Sequence, residues 1–485
     1  MKITIRTRVA LIAAISIVLS LGLLRPARTA TTSLARPAGP CDVYAAAGTP
    51  CVAAHSTTRA LFAGYRGPLY QLIRQSDGKT LNIGIIEPSA SDPGGYADAA
   101  AQDRFCAHTI CWIATIYDQA RKGNDLTQAP RGAFSGPAMG GFNNLPLADM
   151  APVSLAGHKV YGVFIAPGMG LRQNDAKGTA VDDQAQGQYW VINGHHYNSG
   201  CCFDYGNAEI DSRDDDNGTM ETTYYGNSTG WFHGTPPGPW VMTDQENNLV
   251  GCANPDGSKF CANLPTISSR FVTAMAKGEP HHWTSMGGDA QRGALSVMFN
   301  GSRVDATYDP MRKQGAILLG NGGDNSNSSQ GTFYEGAMTA AGTFPSDATD
   351  QTVQANIVAA HYDVAHEVAS PEKARNISAV KINEFRVSDG STNATNSFIE
   401  LYNAGASAAD ISNWTLTQHQ VQQATFSQVK LPAGTTLLPH AFYLLGLSTS
   451  GLVSAVHAGD TTVYLRSITG IKAGDIVRIG TGNSA

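Results

Sequence analysis

Cys201 and Cys202 stand side by side in the run His196-Tyr-Asn-Ser-Gly-Cys-Cys-Phe-Asp-Tyr-Gly-Asn-Ala-Glu209. Neighbouring Cα atoms across a trans peptide lie ~3.8 Å apart, below the ~4.4–6.8 Å that a disulfide ordinarily spans. A bond between the two sulfurs therefore closes a small ring and distorts its own peptide unit, and strain of that kind collects at ligand clamps and active sites. Two free buried thiols, or two cysteines that each pair elsewhere, are the alternatives.

Acids supply the other chemistry. In Gly238-Pro-Trp-Val-Met-Thr-Asp-Gln-Glu-Asn-Asn248, a strand would put Trp240, Met242, Asp244 and Glu246 on one face. A tryptophan face packs on sugar C–H surfaces while carboxylates take hydroxyls, so this pattern suits a sugar cleft; a solvent-facing Asp/Glu pair is its commoner fate. In Gly315-Ala-Ile-Leu-Leu-Gly-Asn-Gly-Gly-Asp-Asn-Ser-Asn327 a buried strand runs into a glycine-rich turn ending at Asp324. Glycines admit a ligand close to backbone, although an Asx-turn explains Gly-Gly-Asp-Asn equally simply. Glu335, in Thr332-Phe-Tyr-Glu-Gly336, is a third candidate. His195-His196 and His281-His282 lack partners at metal spacing, Asp214-Asp-Asp216 reads as a solvated loop rather than a calcium site, and no Gly-x-Ser-x-Gly elbow occurs. Gly136-Pro-Ala-Met-Gly-Gly141 is no phosphate loop, because no Lys-Ser/Thr follows it.

The elements that must position these groups are β-strands. Only 15% of the 485 residues are charged and 52 are glycine, the profile of an all-β protein rich in turns. Short runs such as Lys159-Val-Tyr-Gly-Val-Phe-Ile165 and Gln188-Tyr-Trp-Val-Ile192 alternate with Gly/Asn/Asp/Pro turns; helical pattern is confined to Asp98–Phe105 and Thr352–Val364. The net charge of −6 offers no basic patch for nucleic acid or anionic lipid. Lys2, Arg6 and Arg8 precede the apolar run Val9–Leu24, and Ser33-Leu-Ala35 fits a cleavage site, so residues 1–35 read as a signal peptide and the protein as secreted. With no later spanning segment, no membrane association is expected after cleavage.

Secretion permits disulfides. The other six cysteines are at 41, 51, 106, 111, 252 and 261, and short spacing suggests Cys41–Cys51, Cys106–Cys111 and Cys252–Cys261. That leaves Cys201 and Cys202 for each other, but eight cysteines allow 105 pairings and spacing alone does not select one.

Residues 39–363 read as one large β-sandwich of jelly-roll or concanavalin type, 364–376 as a polar linker, and 377–450 as a second unit. That unit carries Val380-Lys-Ile-Asn-Glu-Phe-Arg386 and Phe398-Ile-Glu-Leu-Tyr-Asn403 and resembles the lamin-tail domain, an immunoglobulin-like β-sandwich. Residues 451–485 form a β-rich extension that stops shortly after a strand-like segment, as a fragment of a longer protein would. Sequons such as Asn217, Asn227, Asn300 and Asn413 matter only in a glycosylating host.

The first unit resembles the catalytic domain of glycoside hydrolase family 54, the α-L-arabinofuranosidases. Gly39-Pro-Cys-Asp-Val-Tyr44, Cys51-Val-Ala-Ala-His-Ser-Thr-Thr-Arg-Ala-Leu61, Ile116-Tyr-Asp-Gln119 and Leu126-Thr-Gln-Ala-Pro130 carry the likeness. It continues through Cys201–Glu209, Gly323–Asn327, Gln330–Gly336 and Val353–Ala360. The resemblance implies a retaining mechanism with Glu246 as nucleophile and Asp324 as general acid/base. It further implies a Cys201–Cys202 disulfide against the arabinofuranose ring, and Trp231, Asp244, Asn247 and the Gly323 backbone around the sugar. The Cys41–Cys51 and Cys106–Cys111 bonds belong to the family as well; a Cys252–Cys261 bond lies outside its pattern, as does a lamin-tail unit in place of an arabinose-binding β-trefoil. Retention needs carboxyls ~5–5.5 Å apart, whereas two residues along a strand span ~6.6 Å, which argues weakly against Asp244 as the partner of Glu246. The implied activity is exo-hydrolysis of terminal arabinofuranose from arabinan or arabinoxylan, by a monomer, without metal or organic cofactor. The alternative is a non-catalytic carbohydrate-binding or adhesion protein on the same sandwich.

Overall fold

Gln186–Asn193 is a strand of aromatic, branched and amide residues, and all but its last residue are buried, which suits a pleat covered on both faces. It pairs with Phe271–Glu279 on one side and Gly331–Thr339 on the other. The structure, a computed structural model, describes residues 36–107, 109–135, 140–365, 379–386, 398–412, 414–418 and 427–446. Residues 1–35, read above as a signal peptide, residues 366–376 of the expected linker and the extension 451–485 lie outside the described residues.

Two antiparallel sheets face each other. The first has seven strands in the order Cys51–Ser56, Gly331–Thr339, Gln186–Asn193, Phe271–Glu279, His282–Asp289 and Ser296–Ser302, with Val163–Ile165 also on Gly331–Thr339. The second has ten, in the order Leu249–Val250, Trp240–Asp244, Glu221–Gly226, Asp204–Ala208, Ala316–Leu319, Leu171–Gln173, Leu126–Gln128, Cys111–Ile116, Tyr70–Arg74 and Thr80–Ile83. Between them Trp190 stacks on Tyr205 at 6.3 Å and tilts against Phe203 at 4.7 Å, and Tyr205 Oη meets His55 Nδ1 at 2.9 Å. Trp190, Trp240 and Trp283 are fully buried; truncating any of them to Ala costs about 3–5 kcal/mol. The expected all-β sandwich is what the chain builds.

Helices are few and short. Ala99–Phe105 follows an Asp98 cap that accepts from Ala101 N. The second expected helix starts earlier and stops sooner than its apolar pattern: it runs Asp347–Val358 because Ser346 caps it, and His361 turns left-handed at φ 51°. Tyr362–Val364 is instead a strand paired with Pro152–Leu155. A third helix, Pro40–Ala46, begins with proline, whose missing N–H costs nothing there. Lys159–Ile165 is not one strand either. It breaks at Gly162 into His158–Tyr161 and Val163–Ile165, which join different sheets.

Four disulfides close: Cys41–Cys51, Cys106–Cys111, Cys201–Cys202 and Cys252–Cys261. In the second unit Val380–Arg386, Phe398–Asn403 and Phe442–Gly446 form a three-stranded sheet, with Leu401, Ile411, Leu431, Leu437 and Leu445 as a core of their own.

Candidate active site

Glu246 does not lie on the strand. The strand ends at Asp244, and Glu246 and Asn247 form a two-residue hairpin loop, both left-handed at φ 63° and 54°. Gln245 N donates to Asn248 O at 3.2 Å across the loop. Asparagine tolerates that backbone; glutamate in it is held against its preference, a strain typical of functional positions. The alternation that placed Glu246 on the face of Trp240, Met242 and Asp244 therefore stops at Asp244. What turns Glu246 back towards Asp244 is a hydrogen bond: Glu246 N donates to Asp244 Oδ1 at 3.1 Å. Tyr308 Oη donates to Glu246 O at 3.0 Å, and Trp231 Nε1 to Asn247 O at 3.1 Å, so the loop is pinned from both sides.

Asp324 comes from the turn after strand Ala316–Leu319. Ser326 N donates to its Oδ1 at 2.7 Å, as does the Ser326 hydroxyl. This is the Asx-turn that the glycine-rich spacing allowed, and it aims the carboxylate into the cleft. A methyl group on Gly322 would sit 3.4 Å from Asp324 Oδ1 and 3.5 Å from Cys202 Cβ, so acid and disulfide flank one backbone step. Cys202 N donates to Ser326 O at 3.2 Å and Ser328 N to Cys201 O at 3.1 Å, which stitches the cysteine pair to the Asp324 turn. The two sulfurs and an Asp244 carboxyl oxygen lie within 4.8 Å of one another. Because both sulfurs are in a disulfide, this cluster is no thiolate metal site.

Gly323 ties the two halves together. A methyl group there would collide with Glu246 Oε2, Glu209 Oε2 and, at 2.6 Å, Met220 Sδ. Its backbone carbonyl, like that of Gly322, accepts from Arg172 Nη1, at 2.7 and 3.0 Å. The fold thus brings Cys201, Cys202, Trp231, Asp244, Glu246, Asn247, Gly323 and Asp324 to one end of the ten-stranded sheet. On the Asp324 side opens a cleft of about 700 Å³ lined by Arg131, Phe134, Asn143 and Asn327 among others.

Several members were not singled out from the sequence. Asp204 and Glu209 bracket the strand after the cysteine pair; their odd spacing would put them on opposite faces of a regular strand. Glu209 lies one residue beyond the strand's end, where the pleat no longer governs direction. Asp204 and Glu209 are fully sealed, whereas Asp244 and Glu246 are each 5% exposed and Asp324 7%. Arg172 is a lone cation in an unremarkable polar strand. Asp214, read as part of a solvated loop, accepts from Asn247 Nδ2 at 3.1 Å. Glu335 goes the other way: it lies in the seven-stranded sheet, gripped by Arg59 Nη2 at 2.7 Å and Tyr362 Oη at 2.6 Å, a structural ion pair.

So many carboxyls in one dry pocket cannot all ionise. Burial, then the charges of Glu209 and Asp244, hold Glu246 well above the usual carboxylate range. Burial also raises Glu209, against a hydrogen bond with Glu246, the Thr219 hydroxyl at 2.7 Å and the Arg172 charge. Asp204 is pushed well up by burial and the Asp244 charge, and burial takes Asp244 to about 7. Burial lowers the Arg172 guanidinium to about 10 despite Glu209, Glu246 and Asp324, so it stays cationic at neutral pH.

Comparison with known proteins agrees with this geometry. The family model for Alpha-L-arabinofuranosidase B, catalytic, matches residues 40–363, and the Lamin Tail Domain model matches 373–481. An alpha-L-arabinofuranosidase of Hypocrea jecorina is 56% identical over 335 residues, 69% of this chain; the match spans 65% of that relative's length. A probable alpha-L-arabinofuranosidase B of Aspergillus terreus is 47% identical over 419 residues, 85% of this chain and 80% of the relative. A solved arabinofuranosidase complexed with arabinofuranosyl-alpha-1,2-xylobiose superposes with a TM-score of 0.66 at 44% identity, covering 86% of this chain and 79% of its own. With 324 consecutive positions matched by its catalytic-domain model and this arrangement of acids around a vicinal disulfide, the chain belongs to the family of alpha-L-arabinofuranosidase B, glycoside hydrolase family 54.

Proposed function

We propose that the protein is a secreted, monomeric, exo-acting α-L-arabinofuranosidase that removes terminal arabinofuranose from arabinan or arabinoxylan with retention. The observation that carries this reading is the placement of Glu246 against Gly323 and of Asp324 and Cys202 against the neighbouring Gly322, with Asp244 beside the Cys201–Cys202 disulfide. A furanose ring lying on the disulfide offers its hydroxyls to Asp244, Asn247 and the Gly323 backbone, with Trp231 closing one side.

In the first step a Glu246 carboxylate oxygen forms a bond to the anomeric carbon. The glycosidic bond breaks, and Asp324 gives its proton to the leaving oxygen. In the second, Asp324 takes a proton from water as the water oxygen bonds to the anomeric carbon and the Glu246 ester breaks. The rest of the polysaccharide leaves through the cleft beside Asp324, where Phe134, 65% exposed, offers an aromatic face to a sugar chain. A pocket closed on one side by a disulfide and two carboxyl pairs admits a chain end rather than a continuing chain.

Hydrolysis of p-nitrophenyl α-L-arabinofuranoside by the purified protein tests this, beside Glu246→Ala and Asp324→Ala. Turnover in the parent with collapse in both variants supports the reading, and transfer of arabinose to methanol with unchanged anomeric configuration supports retention. Activity surviving in either variant removes that residue's role. A folded but silent parent favours a sugar-binding module.

A further inference from the structure

Glu209 is a fully buried carboxyl for which the double-displacement scheme has no use. It sits one residue past strand Asp204–Ala208, and its Oε2 and Glu246 Oε2 both crowd the space above Gly323. Its Oε1 accepts from the Thr219 hydroxyl at 2.7 Å, while its Oε2 meets no N–H or hydroxyl donor. Nothing but a proton makes the contact between two carboxyl oxygens favourable there.

Resting on the arabinofuranosidase reading, we propose that Glu209 is a positioning residue that holds the proton of the Glu246 carboxyl and thereby sets the pH at which the nucleophile ionises. The pair carries one proton between its oxygens. When that proton resides on Glu209 Oε2, Glu246 is the carboxylate that bonds to the anomeric carbon, and Glu209 donates a hydrogen bond to it. When the ester of Glu246 is hydrolysed, the carboxylate returns and shares the same proton. Within a turnover the pair neither gains nor loses a proton, so the acid/base work on leaving group and water stays with Asp324.

The surroundings fit such a store. Glu209 is sealed from water while Glu246 reaches the cleft, so a proton on Glu209 is kept from the substrate side. The groups facing the pair are Asp244 at the end of its strand, Asp324 on the turn beyond Gly323, Arg172 from strand Leu171–Gln173 and Tyr308 on the Glu246 carbonyl. Arg172 neutralises without competing for the proton: Nη2 donates to the Glu209 backbone carbonyl rather than to its carboxylate. Asp204 and Asp244 repeat the arrangement, a sealed acid behind one that reaches the cleft.

The test is the pH dependence of kcat/KM on p-nitrophenyl α-L-arabinofuranoside for the parent, Glu209→Gln, Glu209→Ala and Thr219→Val, with Glu246→Ala as control. Glutamine reproduces protonated Glu209: it is uncharged and its amide donates to Glu246. Glu209→Gln is expected to keep kcat at its optimum within about tenfold of the parent and to move the acid limb to higher pH by roughly one pH unit, since the pair no longer spreads its single charge over two carboxyls through a shared proton and Glu246 must ionise beside an amide donor alone. Glu209→Ala loses the donor and is expected to lower kcat well below Glu209→Gln. Thr219→Val, a milder change that leaves both carboxyls in place, removes a bond that favours ionised Glu209 and should move the acid limb the same way by less. An unmoved acid limb in both Glu209→Gln and Thr219→Val, with Glu246→Ala inactive, overturns the proposal and leaves the arabinofuranosidase reading standing. An inactive parent overturns that reading instead. A Glu209→Gln variant as impaired as Glu209→Ala also overturns the proposal, because it shows that ionised Glu209 is required.

Discussion

The Asp244 carboxylate accepts the backbone N–H of Glu246 at 3.1 Å, and this bond holds a glutamate in left-handed backbone at the tip of a hairpin. One acid thus sets the direction of another two residues away, where strand geometry would have kept them parallel. Asp244→Asn retains an oxygen acceptor and should leave the melting temperature nearly unchanged. Asp244→Ala leaves a buried N–H without a partner and is expected to cost about 1–3 kcal/mol of stability. Thermal melts of the two variants check this; equal destabilisation would show that the hydrogen bond does not hold the loop. Both should lose activity, since both replace the carboxyl that the proposed mechanism sets against the sugar hydroxyls.

Gly323 has no room for a side chain. A methyl group would collide with the carboxyl oxygens of Glu209 and Glu246 and with Met220 Sδ, and of these only Glu246 has open cleft beside it to be pushed into. Gly323→Ala should therefore cost about 1–3 kcal/mol in overpacking and lower kcat at least tenfold by displacing Glu246. Alanine at Gly342, where no atom lies within 4 Å, is the contrasting control; its left-handed φ of 77° should cost stability but spare kcat. Full activity in Gly323→Ala would remove the close approach from the argument.

Stability should peak in mild acid. Asp244 moves from 3.8 to about 7 and Asp350 from 3.8 to about 6, in each case chiefly through burial. The folded state binds these protons more tightly than the unfolded chain, so their contribution is complete below pH 3.8 and is lost as pH rises to about 6–7. Glu221 is opposite. Burial would raise it, but the charges of Arg303 and Lys313 more than reverse that, and it falls from 4.5 to about 2; its contribution is present above 4.5 and lost as pH drops through about 2. Melting temperature is accordingly expected to be highest near pH 4 and to fall between pH 4 and 7, as the shifts of Asp244 and Asp350 require. Calorimetry across that range decides it, and a melting temperature that rises towards neutrality would contradict the carboxyl cluster.

The Cys252–Cys261 loop braces the segment that carries Trp231. His233 N donates to Lys259 O and Cys261 N to His233 O, each at 2.8 Å, and Lys259 Nζ reaches Gly230 O at 2.8 Å. Closing a loop of this length is worth about 2–3 kcal/mol in the chain-entropy model. Replacing both cysteines by serine should lower stability by about that amount. It should also raise KM more than it lowers kcat, because in the proposed mechanism Trp231 contacts the sugar and does not react. A variant with parental KM would leave the loop a purely structural brace.

Much of this protein is written locally. The short aromatic and branched run Gln188–Ile192 marks a strand, because such residues favour a pleat and the run is bounded by turn residues. Adjacent cysteines 201 and 202, and the Gly-Gly-Asp turn at 322–324, announce themselves by backbone constraints that their own residues impose. Asp98 capping its helix is local too, since the cap bond spans three residues. Long-range pairing is not legible in this way. Whether Glu246 continues a strand or turns back depends on Tyr308 and Trp231 arriving from two other segments to pin the loop that Asp244 turns. Glu335 and Glu246 look equally catalytic as residues, and only the approach of Arg59 and Tyr362 makes the first a structural ion pair. The ionisation of the site is decided last of all. A carboxyl's proton affinity depends on how many other charges share its dry volume, and no stretch of sequence contains Asp204, Glu209, Asp244, Glu246, Asp324 and Arg172 together until the sheet folds.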